Sequence, residues 1–89
     1  MELKLLEKQG NRLKFEIRGE NHTFCNLLRK ELWNDKEVDL AGYNMPHSLD
    51  DQMIFIVDAK NPEKALKDAV SRLKDRIKEF NNKFDSIMK

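Results

Sequence analysis

The sequence is short of the features that usually supplement a small core. One cysteine in 89 residues excludes an internal disulfide, and the lack of any Cys-x-x-Cys pair removes the usual structural zinc site. Neither sign of charge dominates. Seventeen basic residues are interspersed with sixteen acidic ones for a net charge of +1, which is not the balance of a freestanding DNA-binding protein. No apolar run approaches the roughly 20 residues of a membrane span. The start, Met1-Glu2-Leu3-Lys4-Leu5-Leu6, lacks the basic head and apolar centre of a signal peptide. The expected setting is the cytoplasm, without a membrane, with the lone thiol reduced. Gly-rich phosphate loops, paired catalytic carboxylates and Asp-rich magnesium clusters are all missing, so neither a cofactor nor a catalytic site is expected on this chain.

What remains is a chain that fits one domain, residues 1–89, and hides only roughly 60–65% of its unfolded surface. With disulfide and metal excluded, a partner subunit is the supplement left. Leu3 and Leu5 alternate with charge from Glu2 to Glu7. From Arg12 to Arg18 the alternation is complete, with Leu13, Phe15 and Ile17 set against Arg12, Lys14, Glu16 and Arg18. Period two predicts two half-buried strands, and Gln9-Gly10-Asn11 supplies residues that tolerate the positive φ of a tight hairpin.

After Gly19 the period changes. Phe24, Leu27, Leu28 and Leu32 share one helical face, with His22 or Thr23 beside the expected N-cap and Glu20 near the positive end of the dipole. That helix should end between Trp33 and Asp35. Strand character returns over Val38 to Tyr43, followed by a proline-bearing loop. Met53 to Val57 is continuously apolar, which suits a central strand covered on both faces. Asn61-Pro62-Glu63 then opens a last helix with a cap, a proline at the first position and an acid beside the dipole.

The last helix carries the main physical case for a partner. Its apolar positions run Leu66, Val70, Leu73, Ile77, Phe80, Phe84 and Ile87, in alternating steps of four and three. That is a heptad stripe. At ~1.5 Å per residue the helix reaches about 40 Å, whereas a compact chain of this length has a radius of gyration near ~12 Å. Leu66, Val70 and Leu73 are expected in the core because they lie nearest the sheet. The distal residues are expected to outrun it and to need cover from another polypeptide, the alternative being absorption into an ordinary two-layer core. The basic residues from Lys60 to Lys78 alternate with Glu63, Asp68, Asp75 and Glu79, which reads as a solvated, ion-paired face rather than a nucleic-acid footprint.

His22-x-x-Cys25 sets an imidazole and a thiol at a helix start. On chemistry alone these could form a nucleophile pair or, with His47, three ligands of a metal. The apolar flanks favour the plainer reading: Cys25 as a small packing residue, His22 as a capping or turn residue, and no metal site. Trp33 lies off the apolar stripe, on the side of Asn26 and Arg29. It is either turned to a neighbouring subunit or a half-exposed lid on the local core.

The stretch Gly19-Glu20-Asn21-His22-Thr23-Phe24-Cys25-Asn26-Leu27-Leu28-Arg29 resembles the signature of the small assembly subunits of multisubunit RNA polymerases, most closely the archaeal subunit L family. Tyr43-x-x-Pro46-His47-x-Leu49 is similar to a second motif of that family, with Ser48 where proline is usual. Cys25 departs from the family's glycine; Phe24 for leucine and Asn21 for aspartate are milder changes. The resemblance covers nearly the whole chain. It implies an α+β fold, a two-layer sandwich with a mostly antiparallel four-stranded sheet and two helices on one face, shared with the N-terminal domain of the bacterial alpha subunit. The strand-strand-helix-strand-strand-helix order fits this.

The resemblance further implies a non-catalytic subunit of a DNA-directed RNA polymerase. Such a subunit forms a heterodimer with the larger D subunit of the same polymerase. That pair is the platform for the large catalytic subunits, alongside other small subunits, and meets DNA only through the complex. The expected dimer surface is Phe24, Leu27, Leu28 and Leu32 of the first helix with Ile77, Phe80, Phe84 and Ile87 of the last. The corner from Glu20 to Thr23 is expected to fix the first helix against the sheet. The rivals are a freestanding homodimeric binding module, a small thiol enzyme needing an exposed Cys25, and the eukaryotic counterpart of the same family.

Overall fold

A computed structural model describes residues 1–46 and 52–89. Its elements are β1 (Glu2–Gln9), β2 (Arg12–Arg18), α1 (His22–Leu32), β3 (Val38–Asn44), β4 (Gln52–Ala59) and α2 (Pro62–Ile87). The strands form one antiparallel sheet in the order β1-β2-β4-β3. Gly10 turns the first hairpin at φ +59°, and Asn11 does not share that conformation. The expected α+β sandwich is the fold observed, with β4 in the interior of the sheet.

Register decides which residues meet the helices. Leu13 stands opposite Val57, Phe15 opposite Phe55 and Ile17 opposite Met53, while Ala41 and Tyr43 of β3 oppose Val57 and Phe55. Directly opposed residues share a face, so these side chains form one apolar floor. Cys25, Leu28 and Leu32 of α1 and Ala65 and Ala69 of α2 close the core above it. Phe15 and Phe55 stack with ring centroids 5.4 Å apart.

Three expectations need correction. β4 is covered on one face only: Met53, Phe55, Val57 and Ala59 are buried, whereas Ile54 and Ile56 are only half-buried. Both helices lie on the same side of the sheet, so the other side of β4 has none. β1 is not half-buried, because Leu3 and Leu5 are exposed; it is an edge strand, and the helices pack over β2, β3 and β4. Finally, the face that α2 turns to the sheet is Ala65 and Ala69, with Leu66 and Leu73 half-buried and Val70 exposed. Small side chains let the helix backbone come close to the sheet, which rotates the larger stripe outward.

Candidate subunit interface

α2 is well begun. Asn61 accepts a hydrogen bond at its side chain from the Lys64 amide at 3.2 Å, Pro62 occupies the first turn and Glu63 lies near the dipole's positive end. Ion pairs four residues apart, Lys64–Asp68 at 2.8 Å and Glu79–Lys83 at 3.6 Å, run along its solvent side. The helix is 26 residues long, about 39 Å at ~1.5 Å per residue. Its length draws the molecule out to 49 × 34 × 16 Å, with a radius of gyration of 14.8 Å against the ~12 Å of a compact chain.

Beyond Leu73 the helix leaves the domain. Every residue from 74 to 89 is exposed. Ile77 is 60% exposed, Phe80 66%, Phe84 47% and Ile87 75%. The two phenylalanine rings stack on each other at 6.0 Å with an interplanar angle of 12°, so they find partial cover only within their own helix. Leaving such residues in water forgoes ~1.5–3 kcal/mol each. The alternative in which an ordinary core absorbs the distal stripe is therefore overturned for this chain.

α1 contributes less surface than the apolar pattern suggested. Leu27 is about half exposed and Phe24 half-buried against the core. Leu28 and Leu32 are 3% and 0% exposed. These two close the chain's own core and have no side-chain surface to offer a partner, because α1 turns them onto the sheet. The available apolar set is thus Leu27 with Ile77, Phe80, Phe84 and Ile87, and Phe24 at its margin.

The corner before α1 fixes that helix. Gly19 takes φ +82°, a conformation that suits glycine, and Asn21 caps the helix by accepting from the Phe24 amide at 3.2 Å. The cap thus lies immediately before His22 and Thr23. The Tyr43 hydroxyl donates to the His22 carbonyl at 3.3 Å and lies 3.2 Å from that residue's Nδ1. Tyr43 also stacks on Phe55 at 6.0 Å, so one ring ties the start of α1 to the sheet. Arg29 donates to the Asn26 side chain at 2.7 Å along the same helix. Glu20 is half-buried, while Thr23 and Pro46 are exposed. His47, Ser48 and Leu49 of the second motif lie outside the described residues. Trp33 is about half exposed and donates from Nε1 to the Ala41 carbonyl at 3.1 Å, which seats it as a lid over the junction of α1 and β3.

A further pairing went unread in the sequence. Glu31, 2% exposed, accepts from Arg72 Nε at 2.5 Å and lies 3.3 Å from Arg76 Nη1; Arg72 also donates to the Glu31 carbonyl at 3.0 Å. The Arg72 hydrogen bond holds the Glu31 carboxyl below its ordinary range, opposed by burial and aided by Arg76. This ion cluster joins α1 to the midpoint of α2, at the place where the overhang begins. The available signal was an acid between apolar Leu28 and Leu32, and two arginines four apart on the last helix.

Nothing in this geometry resembles a nucleophile. Cys25 is fully buried, and burial pushes its thiol up, away from the reactive thiolate. Among the described residues no group of three His, Cys, Asp or Glu is arranged to hold a metal, and no helix is long and apolar enough to cross a membrane.

Residues 12–83 match the family model described as the RNA polymerase Rpb3/Rpb11 dimerisation domain. DNA-directed RNA polymerase subunit Rpo11 of Methanosarcina barkeri is 38% identical, over 99% of this chain and 98% of the relative. The Rpo11 subunit of Korarchaeum cryptofilum is 34% identical, over 94% and 89%. Among solved structures, DNA-directed RNA polymerase subunit L from Thermoplasma acidophilum superposes with a TM-score of 0.87 at 26% identity, covering 96% of this chain and 86% of that one.

Proposed function

The chain belongs to the RNA polymerase Rpb3/Rpb11 dimerisation-domain family, and from that premise we propose that it pairs with the polymerase's D subunit, a larger chain of like fold. The pair then serves as the platform on which the large catalytic subunits and other small subunits assemble. The chain acts as a non-catalytic part of a cytoplasmic DNA-directed RNA polymerase, and it meets DNA only through the complex. The observation that carries this reading is the uncovered stripe of α2, with Ile77, Phe80, Phe84 and Ile87 in water and no core of its own to enter. Fold and length make the overhang, and a partner gives it a purpose.

Assembly here means burial rather than bond making. The buried Glu31 cluster holds α2 against α1, so the stripe is presented at a set angle and less freedom is lost on pairing. Phe80 and Phe84, already stacked, are the large central anchors that dominate such interfaces. The test is to co-express the chain with the D subunit of its own polymerase and measure the native mass of the product. The expected result is one copy of each, lost in a Phe80→Glu, Phe84→Glu double variant. A homodimer, or a pair indifferent to both substitutions, would overturn the reading.

A further inference from the structure

Charge is sorted along α2. With Ile77 and Phe84 at the a positions of the apolar row and Phe80 and Ile87 at d, the e and g positions that flank the row are Lys67, Lys74, Asn81, Ala69, Arg76 and Lys83. No acid stands there. Asp68, Asp75, Glu79 and Asp85 all lie farther round the helix, at b, c or f, away from the row.

The flanking cations are exposed, and little of their charge is cancelled at home. Lys67 and Lys74 form no ion pair among the described residues; they border a shallow cavity of ~340 Å³ whose other walls are Leu66, Val70 and Ser71. Arg76 shares the single Glu31 carboxylate with Arg72, which leaves that cluster positive. Lys83 meets Glu79 at 3.6 Å with both side chains largely exposed, a contact that water and salt weaken. Every charge beside the row therefore has one sign. A second copy of this chain laid on the row brings the same rim, and in a symmetric pair the same patch meets itself. Parallel or antiparallel, base then faces base.

We infer that this basic rim selects the partner: it disfavours a second copy of this chain and favours an apolar surface whose own border carries Asp and Glu. The inference rests on the reading that the α2 stripe is the pairing surface, and adds the charge chemistry of what covers it. Apolar burial is non-directional and accepts any oily surface of fitting shape. The rim supplies the choice, through attraction to one neighbour and repulsion from the other.

The test reverses two rim lysines that form no ion pair outside α2, in a Lys74→Glu, Lys83→Glu variant. Measured by dilution of the purified complex with the D subunit, the variant is expected to pair about tenfold more weakly at low salt, each reversal turning an attraction into a repulsion of similar size. Added salt is expected to narrow the gap. Lys78→Glu with Lys89→Glu makes the same change of net charge away from the row and is expected to leave pairing unchanged. Without the D subunit, labelled wild-type chain is expected to bind the reversed variant about tenfold more tightly than it binds unlabelled wild type. Pairing with the D subunit indifferent to the reversal, an equal loss in the Lys78, Lys89 control, or mixed copies no tighter than like copies overturns the inference. The Phe80→Glu, Phe84→Glu variant separates the levels. If it loses pairing and the rim reversal changes nothing, the assembly reading stands and the rim does not select; if neither loses pairing, both fail.

Discussion

Residues 62–73 and 74–87 belong to one unbroken helix and meet opposite surroundings. The first half is docked through Ala65 and Ala69, with Leu66 and Leu73 half sheltered; the second has no buried residue. Large apolar side chains are more abundant where there is no core, and the smallest ones sit where the core is tightest. A domain that needed only its own stability would have the reverse distribution. The docked half holds the fold together, and the bare half leaves exposed the apolar surface that the proposed pairing would cover.

The sharpest way to break this contrast is to place the same charge in each half. Ala69→Glu forces a carboxylate into a fully buried site above the apolar floor of the sheet, and the expected cost is about 3–5 kcal/mol. Measured by denaturant unfolding of the full chain, that is a large share of a stability of ~5–15 kcal/mol. Ile77→Glu lies in the bare half. It should shift the isolated chain by less than about 0.5 kcal/mol and, on the pairing proposed above, weaken that pairing instead. Equal destabilisation by the two substitutions would show the halves to be alike.

The junction of the halves gives the next effect. Glu31→Ala leaves Arg72 and Arg76 without their anion, but their side chains are 37% and 65% exposed and can rehydrate. The expected loss is therefore about 2 kcal/mol, below the ~3–5 kcal/mol of a fully buried broken pair. The same cluster sets an acid limit. Because the folded-state pKa of Glu31 is lowered, its contribution is present above the unfolded value of ~4.3. It is lost as pH falls from there through the lowered folded value. Thermal melts from pH 7 to pH 3 should show the wild type losing stability over that acid window, and Glu31→Ala losing less of it.

How far this was legible in the sequence follows from what each element asks of its residues. Alternation in β1 and β2, the shared apolar face of α1, the apolar run of β4 and the Asn61-Pro62 start are local signals, and they located the strands and helices, whereas the Asn21 cap was read only as lying beside His22 or Thr23. Burial is not local. The heptad spacing of Leu66 to Ile87 identified an apolar stripe, but Ala65 and Ala69 beside it decide which side meets the sheet, and alanine carries no strong pattern. Leu28 and Leu32 read as surface for the same reason: one apolar face of α1 serves both the home core and its margin. The exposure of Leu3 and Leu5 depends on where two helices stop, which alternation within β1 does not encode. Glu31 finds Arg72 41 residues away and Arg76 a turn further on, beyond any local reading.

The smallest effect expected separates the two ends of α2. Asn61 accepts from the Lys64 amide and caps the half that is docked, so Asn61→Ala removes a hydrogen bond from helix turns on which the core depends. Its expected cost is about 1 kcal/mol, read as a lower unfolding midpoint of the isolated chain. At the other end the cap is Met88, whose backbone amide donates to the Phe84 carbonyl at 3.2 Å, and the last turn touches no other element. Deleting residues 88–89 should therefore leave the unfolding free energy within about 0.5 kcal/mol of the wild type. A cost at the far end equal to that of Asn61→Ala would mean that the overhang is coupled to the domain, and that the helix is one energetic unit after all.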